Sequence, residues 1–243
     1  MKVFEYLSQI VGLAYLEIEY LDKGEGNKWR KQRSGKSEFT VNYALQLRKE
    51  VEGPLSISDL DVVNVYFRSR GKKEFLEENG IHLISSSVDA PTLDIPALSA
   101  EIHTPLLNQE HNNIIDLGGD KVGATVIARY RNMIKDDDYD MFFVVNANRE
   151  KTQNAEEVMK YIDEIETASK LKVTGLINNT HMLKATTIED IEKGQEVCRE
   201  VSKQRNIPIR FISCLESLVD QIPEDFEGDV VPIHLYLRDE WMM

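Results

Sequence analysis

Ser34-Gly35-Lys36-Ser37 is the stretch of this chain whose residue types most specifically imply chemistry. It is the second half of a phosphate-binding loop. In such a loop, successive backbone N–H groups wrap a β-phosphate, the lysine reaches the β- and γ-oxygens, and the hydroxyl after it binds Mg²⁺. The residues from Glu38 to Glu50 read as a helix, whose positive end would face the same phosphates. The full pattern is G-x-x-x-x-G-K-[ST], and Arg30 stands at its first glycine position. A bare Gly-Lys-Ser occurs by chance in many proteins, so its weight depends on what the rest of the chain supplies.

The rest supplies acids and amides at the right places. Asp116, within Ile114-Ile115-Asp116-Leu117-Gly118-Gly119-Asp120, follows two β-branched residues and precedes a glycine pair. Its carboxylate would hold Mg²⁺, and the backbone of Gly119 would approach a γ-phosphate. A surface turn closing a strand uses the same residue types and stays open as a reading. Asp59 and Asp61 stand two apart at a strand end, so alternation points both to one side, where they would orient Mg²⁺ and an attacking water. Their plain alternative is a solvated loop. Asn178 and Asn179 end an apolar run, where an amide can read a purine edge or simply cap a turn. Arg68 and Arg70 are candidate phosphate donors or a solvated helix start. The five histidines form no metal-binding pattern, Cys198 and Cys214 have no paired spacing, and Ser85-Ser86-Ser87 lacks a nucleophile elbow.

The elements that must carry these residues alternate. Strands are expected at Leu55 to Leu60, Ile81 to Ser85, Asn113 to Leu117, Met141 to Asn146, Val173 to Asn178 and Ile209 to Ile212. Charged or amphipathic helices are expected at Ser69 to Asn79, Asn154 to Leu171 and Ile188 to Asn206. This alternation predicts an α/β, doubly wound, mostly parallel sheet, with ligands beyond the C-terminal strand ends. The 243 residues suit one such domain, enough to bury about 70–75% of the unfolded surface. A net charge of −13 argues against nucleic acid or anionic membrane as a partner. No apolar run is long enough for a transmembrane segment and none resembles a signal peptide, so a cytoplasmic, reduced protein is expected.

The blocks SGKSEFTVNYAL, DLDVVNVYFRSR, IIDLGGDKVGATVIARY, FFVVNANRE and VTGLINNTHMLKATTIEDIEKGQEVCREVSKQRNIPI together resemble the MinD/ParA/CobQ-type branch of P-loop nucleotide-binding proteins. They are most similar to a bacterial group of uncharacterised ATP-binding proteins within it. The resemblance runs from Ser34 to about Ile212. It implies a P-loop fold that binds ATP and Mg²⁺ and hydrolyses the nucleotide. Ser34, Gly35, Lys36 and Ser37 would form the phosphate loop, with Ser37, Asp59 and Asp116 around Mg²⁺. Lys36 and Asp61 would be the catalytic pair, with Asp61 orienting water; Gly119 would lie at the γ-phosphate, and Asn178 or Asn179 at adenine. It also implies a homodimer in which a lysine near the loop start, here Lys31, reaches the partner's phosphates. A CobQ-like amide ligase, with a substrate pocket at Ser85 to Leu107, and a non-enzymatic interaction module are the alternatives. The client or small-molecule substrate is not legible.

The chain departs from this pattern at Asn27 to Arg33, where the family has glycines after an apolar strand. Arg30 and Arg33 do not take positive φ cheaply. Gly24 to Lys31 is not a credible central strand; Ile10 to Leu21 is the candidate to replace it, although it lies far upstream for a normal strand-to-loop connection. Residues 1–33 therefore read as an atypical N-terminal segment before a nucleotide-binding domain at 34–243. One route to this is a shifted reading frame. Arg30-Lys31-Gln32-Arg33, encoded as AGG AAA CAA CGG, reads Gly-Asn-Asn-Gly one base later. The alternative is a divergent N-terminal segment that folds in its own way. Codons that give no such glycines would remove the frameshift.

Overall fold

The computed structural model describes residues 11–14, 35–61, 72–85, 100–108, 110–119, 121–136 and 138–237. Gly35, at φ 79°, turns the chain into helix α1 (Lys36–Leu47), a conformation that glycine adopts without a Cβ penalty. Strand β1 (Val11–Ala14) comes before it; β2 (Leu55–Leu60), α2 (Lys73–Glu78) and β3 (His82–Ser85) follow. Next come α3 (His103–Leu107), β4 (Asn112–Leu117), α4 (Lys121–Ala128), β5 (Asp140–Val145) and α5 (Ala155–Ser169). The chain continues through β6 (Gly175–Asn178), α6 (Ile188–Arg205), β7 (Ile209–Leu215) and β8 (Asp229–Ile233).

The eight strands form one sheet in the order β3-β2-β4-β1-β5-β6-β7-β8, and every pairing is parallel. Parallel strands need crossovers and covered faces, so their sequences are near-continuous apolar runs. Phe142, Val144, Ile177 and Ile114 fit that rule and are buried. Neighbouring residues of β5 show the two faces. Phe142 packs on Phe211 and, with it, under the Phe39 and Tyr43 rings of α1. Phe143 instead meets Tyr161 of α5 at 5.9 Å between ring centres. The sheet is therefore α/β and doubly wound.

Several boundaries have clear local causes. Asn154 caps α5 by accepting the Glu157 N–H, and Lys170 ends that helix in the left-handed region. Thr187 and Asp190 form a capping box at the start of α6, and Asn206 closes its end at φ 54°.

The structure settles the central strand and adds one at the edge of the sheet. The central strand is not missing: β1, from the upstream apolar stretch, pairs with β4 on one side and β5 on the other. The connection to Gly35 then runs through residues 15–34, which lie outside the described residues. The last strand, β8, with the segment after it, was not foreseen. Asp229-Val230-Val231-Pro232-Ile233 alternates too weakly to announce a parallel strand, and Pro232 argues against one. Among the described residues β8 has a strand neighbour only on its β7 side, and a proline is tolerated at such an edge.

Candidate functional site

Because all strands run parallel, their C-terminal ends form one edge, and the switch in strand order lies at β1 beside β4 and β5. A crevice outside the carboxyl ends at such a switch point is where open α/β sheets bind ligands. The register places Asp59 of β2 directly opposite Asp116 of β4, and Leu13 of β1 beside Asp116 on the other side. Cross-strand neighbours share a face, so the two carboxylates stand together, and Asp61 follows Asp59 on the same side. Asp59 Oδ1 accepts the Asp61 N–H at 3.2 Å, which fixes the turn that carries both.

Lys36 occupies the middle of this acid group. Its ammonium lies 2.9 Å from Asp116 Oδ1 and 3.4 Å from Asp61 Oδ2, with all three side chains buried. Burial opposes the charge on Lys36. The fields of Asp116, Asp61 and Asp59 outweigh that penalty and lift its proton affinity above the usual lysine range. Apart from that ion pair, Asp116 Oδ1 has no hydrogen-bond partner among the described residues. Carboxylates gathered at one buried place are the donor type that Mg²⁺ takes. No three His, Cys, Asp or Glu side chains among the described residues hold a metal by themselves. A Mg²⁺ held by one or two carboxylates with phosphate and water does not need them to.

Beyond Asp116 the chain turns sharply. A Cβ on Gly123 would sit 2.4 Å from Gly118 Cα, so the start of α4 can press against the end of β4 only because both residues are glycine. The Gly119 carbonyl accepts a hydrogen bond from Tyr161 of α5 at 3.0 Å, which ties this loop to the helix packed against α4.

On the other side of Gly35 lies a cleft open to solvent. Its walls are mainly apolar, from Leu183, Leu215, Ile233, Leu235 and Cys214, with Glu38, Asn179, His181 and Ser213 as polar members. Burial pushes the Cys214 thiol up to about 11. Leu183 holds φ 59°, a conformation that costs a bulky residue of order 1–3 kcal/mol and tends to gather at functional sites. It is kept there by Thr186, whose N–H and hydroxyl both reach the Leu183 carbonyl, and by His181 Nδ1, which accepts the Leu183 N–H at 3.3 Å.

The two asparagines end up on opposite faces. The Asn178 amide donates to the Ile191 carbonyl at 2.9 Å and to Gln195 Oε1 at 3.1 Å, and its oxygen accepts the Thr180 N–H. Asn178 thus anchors α6 to β6, closely enough that a Cβ on Gly194 would meet its oxygen at 2.2 Å. Asn179 faces the cleft; its oxygen accepts the Ser213 hydroxyl, and its nitrogen would lie 2.7 Å from a Cβ on Gly35. Asn148 bridges to Asp190 and Lys193 of α6, away from the acids. Ser37 follows Lys36 in the first turn of α1, half-buried. Ser34, Lys31, Arg68 and Arg70 lie outside the described residues.

Sequence reasoning missed one wall of the cleft entirely. Glu38, Asn42 and Gln46 recur every fourth residue on α1, and all three bond to backbone after or within β8. Glu38 accepts the N–H groups of Tyr236 and Leu237; Asn42 donates to the His234 carbonyl and accepts its N–H, both at 2.8 Å; Gln46 donates to the Pro232 carbonyl. A polar stripe at helical spacing inside a buried helix was the available signal, because buried polar groups need partners.

No family model matches the chain, and no curated protein matches it. Two solved structures follow a partly similar course. One is the signal recognition particle receptor FtsY from Elizabethkingia anophelis in complex with GDP, 14% identical, with a TM-score of 0.46 over 88% of this chain and 59% of that one. The other is FlhF complexed with GTP and Mg²⁺, also 14% identical, with a TM-score of 0.44 over 78% of this chain and 61% of that one. The chain spans about three-fifths of the length of each.

Proposed function

We propose that this chain binds ATP with Mg²⁺ along the C-terminal edge of the sheet and hydrolyses it, as a P-loop protein of the MinD/ParA/CobQ type. The observation that carries the reading is the position of Lys36. It opens a helix behind a left-handed glycine and is held by Asp116 and Asp61 at the point where the strand order switches. The adenine and sugar would occupy the apolar cleft beside Asn179, and the phosphates would run past Gly35 toward Lys36.

Ser37, Asp59 and Asp116 would hold Mg²⁺, which supplies charge neutralisation for the phosphate oxygens when bound. The chain's own residues do the rest. Lys36 is kept protonated by the acids around it and exchanges carboxylate partners for phosphate oxygens as the ligand enters. Asp61 is fixed by its neighbour Asp59 and orients a water in line with the terminal phosphorus. Gly119, steadied by Tyr161, offers backbone where the terminal phosphate would end. A cytoplasmic homodimer working through Lys31 belongs to the same reading.

Isothermal titration with ATP and Mg²⁺, followed by phosphate release, tests the proposal. Saturable binding that disappears in Lys36→Ala, with release that disappears in Asp61→Ala, is the expected result. The same titration on a variant with glycine at positions 30 and 33 isolates the loop. Absence of ATP binding in both the natural chain and this variant sinks the reading and leaves a fold kept for interaction alone.

A further inference from the structure

We propose that residues 234–237 are a strap that opens as a unit of its own and admits the ligand to the cleft, with Glu38 as its catch. The inference rests on the reading of the cleft as the base site and adds a gate to it.

Beyond Ile233 the chain leaves the sheet. β8 pairs with β7 as far as Ile233, and residues 234–237 have no strand partner among the described residues. What holds them is α1. Asn42 takes both main-chain groups of His234 at 2.8 Å, and Glu38 accepts the N–H groups of Tyr236 and Leu237. Each of these is a side-chain bond to backbone, which can break without disturbing the ladder between β7 and β8. The His234 carbonyl also accepts the Tyr236 N–H at 3.1 Å, so the segment carries a bond of its own and can move as a piece. The Tyr236 ring rests on Phe75 of α2 at 5.1 Å between centres. His234 lies 3.5 Å from Glu216, where both side chains are exposed and such a pair adds little. A segment held this way opens locally, at a lower cost than unfolding the whole protein.

The catch lies inside the cleft, because Glu38 and Leu235 both line it. Releasing the strap therefore takes Leu235 away and widens the mouth, and a ligand seated against Leu235 holds the strap shut. Ile233, also in the lining, stays in place because it is paired with Leu215. The wall beyond β7 thus has one fixed apolar residue and one movable one.

Native-state hydrogen exchange tests the strap directly. The Tyr236 and Leu237 amides are expected to exchange at least about a hundredfold faster than those of Val144 and Ile177 in the central strands. Low urea should not accelerate them, because a local opening exposes little surface. Bound ATP should slow these two amides about tenfold or more. Glu38→Gln keeps the shape and removes the charge that strengthens both bonds. It should speed the two amides about tenfold and raise the association and dissociation rates of a fluorescent ATP analogue together. Exchange of all four amides through global unfolding alone overturns the strap, whatever binds. ATP bound with no change at Tyr236 and Leu237, or an unaltered association rate in Glu38→Gln, overturns its role as a gate. Failure of ATP to bind while the two amides still open locally overturns the base-site reading instead and leaves the strap standing.

Discussion

The two ends of the proposed nucleotide site, the end assigned to phosphate and the end assigned to the base, are built by different means. The phosphate end is electrostatic: Lys36, Asp59, Asp61 and Asp116 come from three neighbouring elements and are held by charge and register. The base end is a matter of packing. Its walls come from the turn after β6, the end of β7 and the segment after β8, and hydrogen bonds between residues about two hundred positions apart hold them. One end depends on a few charged atoms, so single changes there should abolish function. The other spreads its cohesion over many contacts, so single changes should weaken it by degrees.

The largest expected effect is at Lys36. Lys36→Ala leaves buried carboxylates facing one another, and breaking a buried ion pair from one side costs about 3–5 kcal/mol. Urea unfolding should register a loss of that order at neutral pH, and millimolar Mg²⁺ should recover part of it. ATP affinity should fall below detection. A variant of natural stability would show that the acids are not coupled to the lysine.

Asn42→Ala comes next. It removes the reciprocal bonds to His234 and leaves a partly buried N–H and C=O unpaired, at about 1–3 kcal/mol. Chemical unfolding should report that loss, and ATP affinity should drop several-fold through the Ile233 and Leu235 wall while Mg²⁺ dependence stays unchanged. Equal loss of Mg²⁺ dependence would erase the division between the ends.

The adjacent asparagines sharpen the comparison further. Asn178→Ala should lower stability by about 1–3 kcal/mol, because it strips α6 of its anchor, yet leave nucleotide choice unaltered. Asn179→Ala should lower stability by about 1 kcal/mol through the lost bond from the Ser213 hydroxyl, and reduce the preference for ATP over GTP. A reversal of these outcomes would exchange their roles.

The smallest effect concerns Cys214. Burial raises its thiol to about 11 from an ordinary 9.0. The thiolate is the reactive form, so alkylation at pH 8 should be slow and accelerate as pH climbs toward 11. ATP should slow it further by filling the cleft. The sign for stability follows: the folded state retains the proton longer, so this contribution is complete below pH 9 and declines as pH rises from there toward 11. Cys198, fully buried in α6 and not part of the cleft, should label only on unfolding.

The phosphate end was readable from the chain because its residue types announce themselves. Lys36 follows a glycine, and Asp59, Asp61 and Asp116 each close an apolar run, so strand alternation alone brought them to one edge. The strands β2 through β7 were legible for the same reason, since fully buried parallel strands leave little but apolar residues. The base end was not readable. Glu38, Asn42 and Gln46 look like ordinary helix polarity until β8 is known to lie against them, and nothing local in residues 229–237 reveals that destination. The difference between Asn178 and Asn179 was equally hidden, because which of two neighbours faces α6 depends on the exact strand end. Nor could distance along the chain exclude β1: the apolar run at Val11 to Ala14 fills the central gap even though residues 15–34 separate it from the glycine.

The bond between Leu237 and Glu38 also has a consequence for the order in which the protein becomes competent. During synthesis α1 leaves the ribosome nearly two hundred residues before its partner segment, on the order of 10–40 s at roughly 5–20 residues per second. Throughout that interval Glu38, Asn42 and Gln46 must be satisfied by water, and one side of the base cleft does not exist. The acids and lysine can assemble as soon as β4 is in place, so a nascent chain would bring its buried charges together well before the cleft is complete.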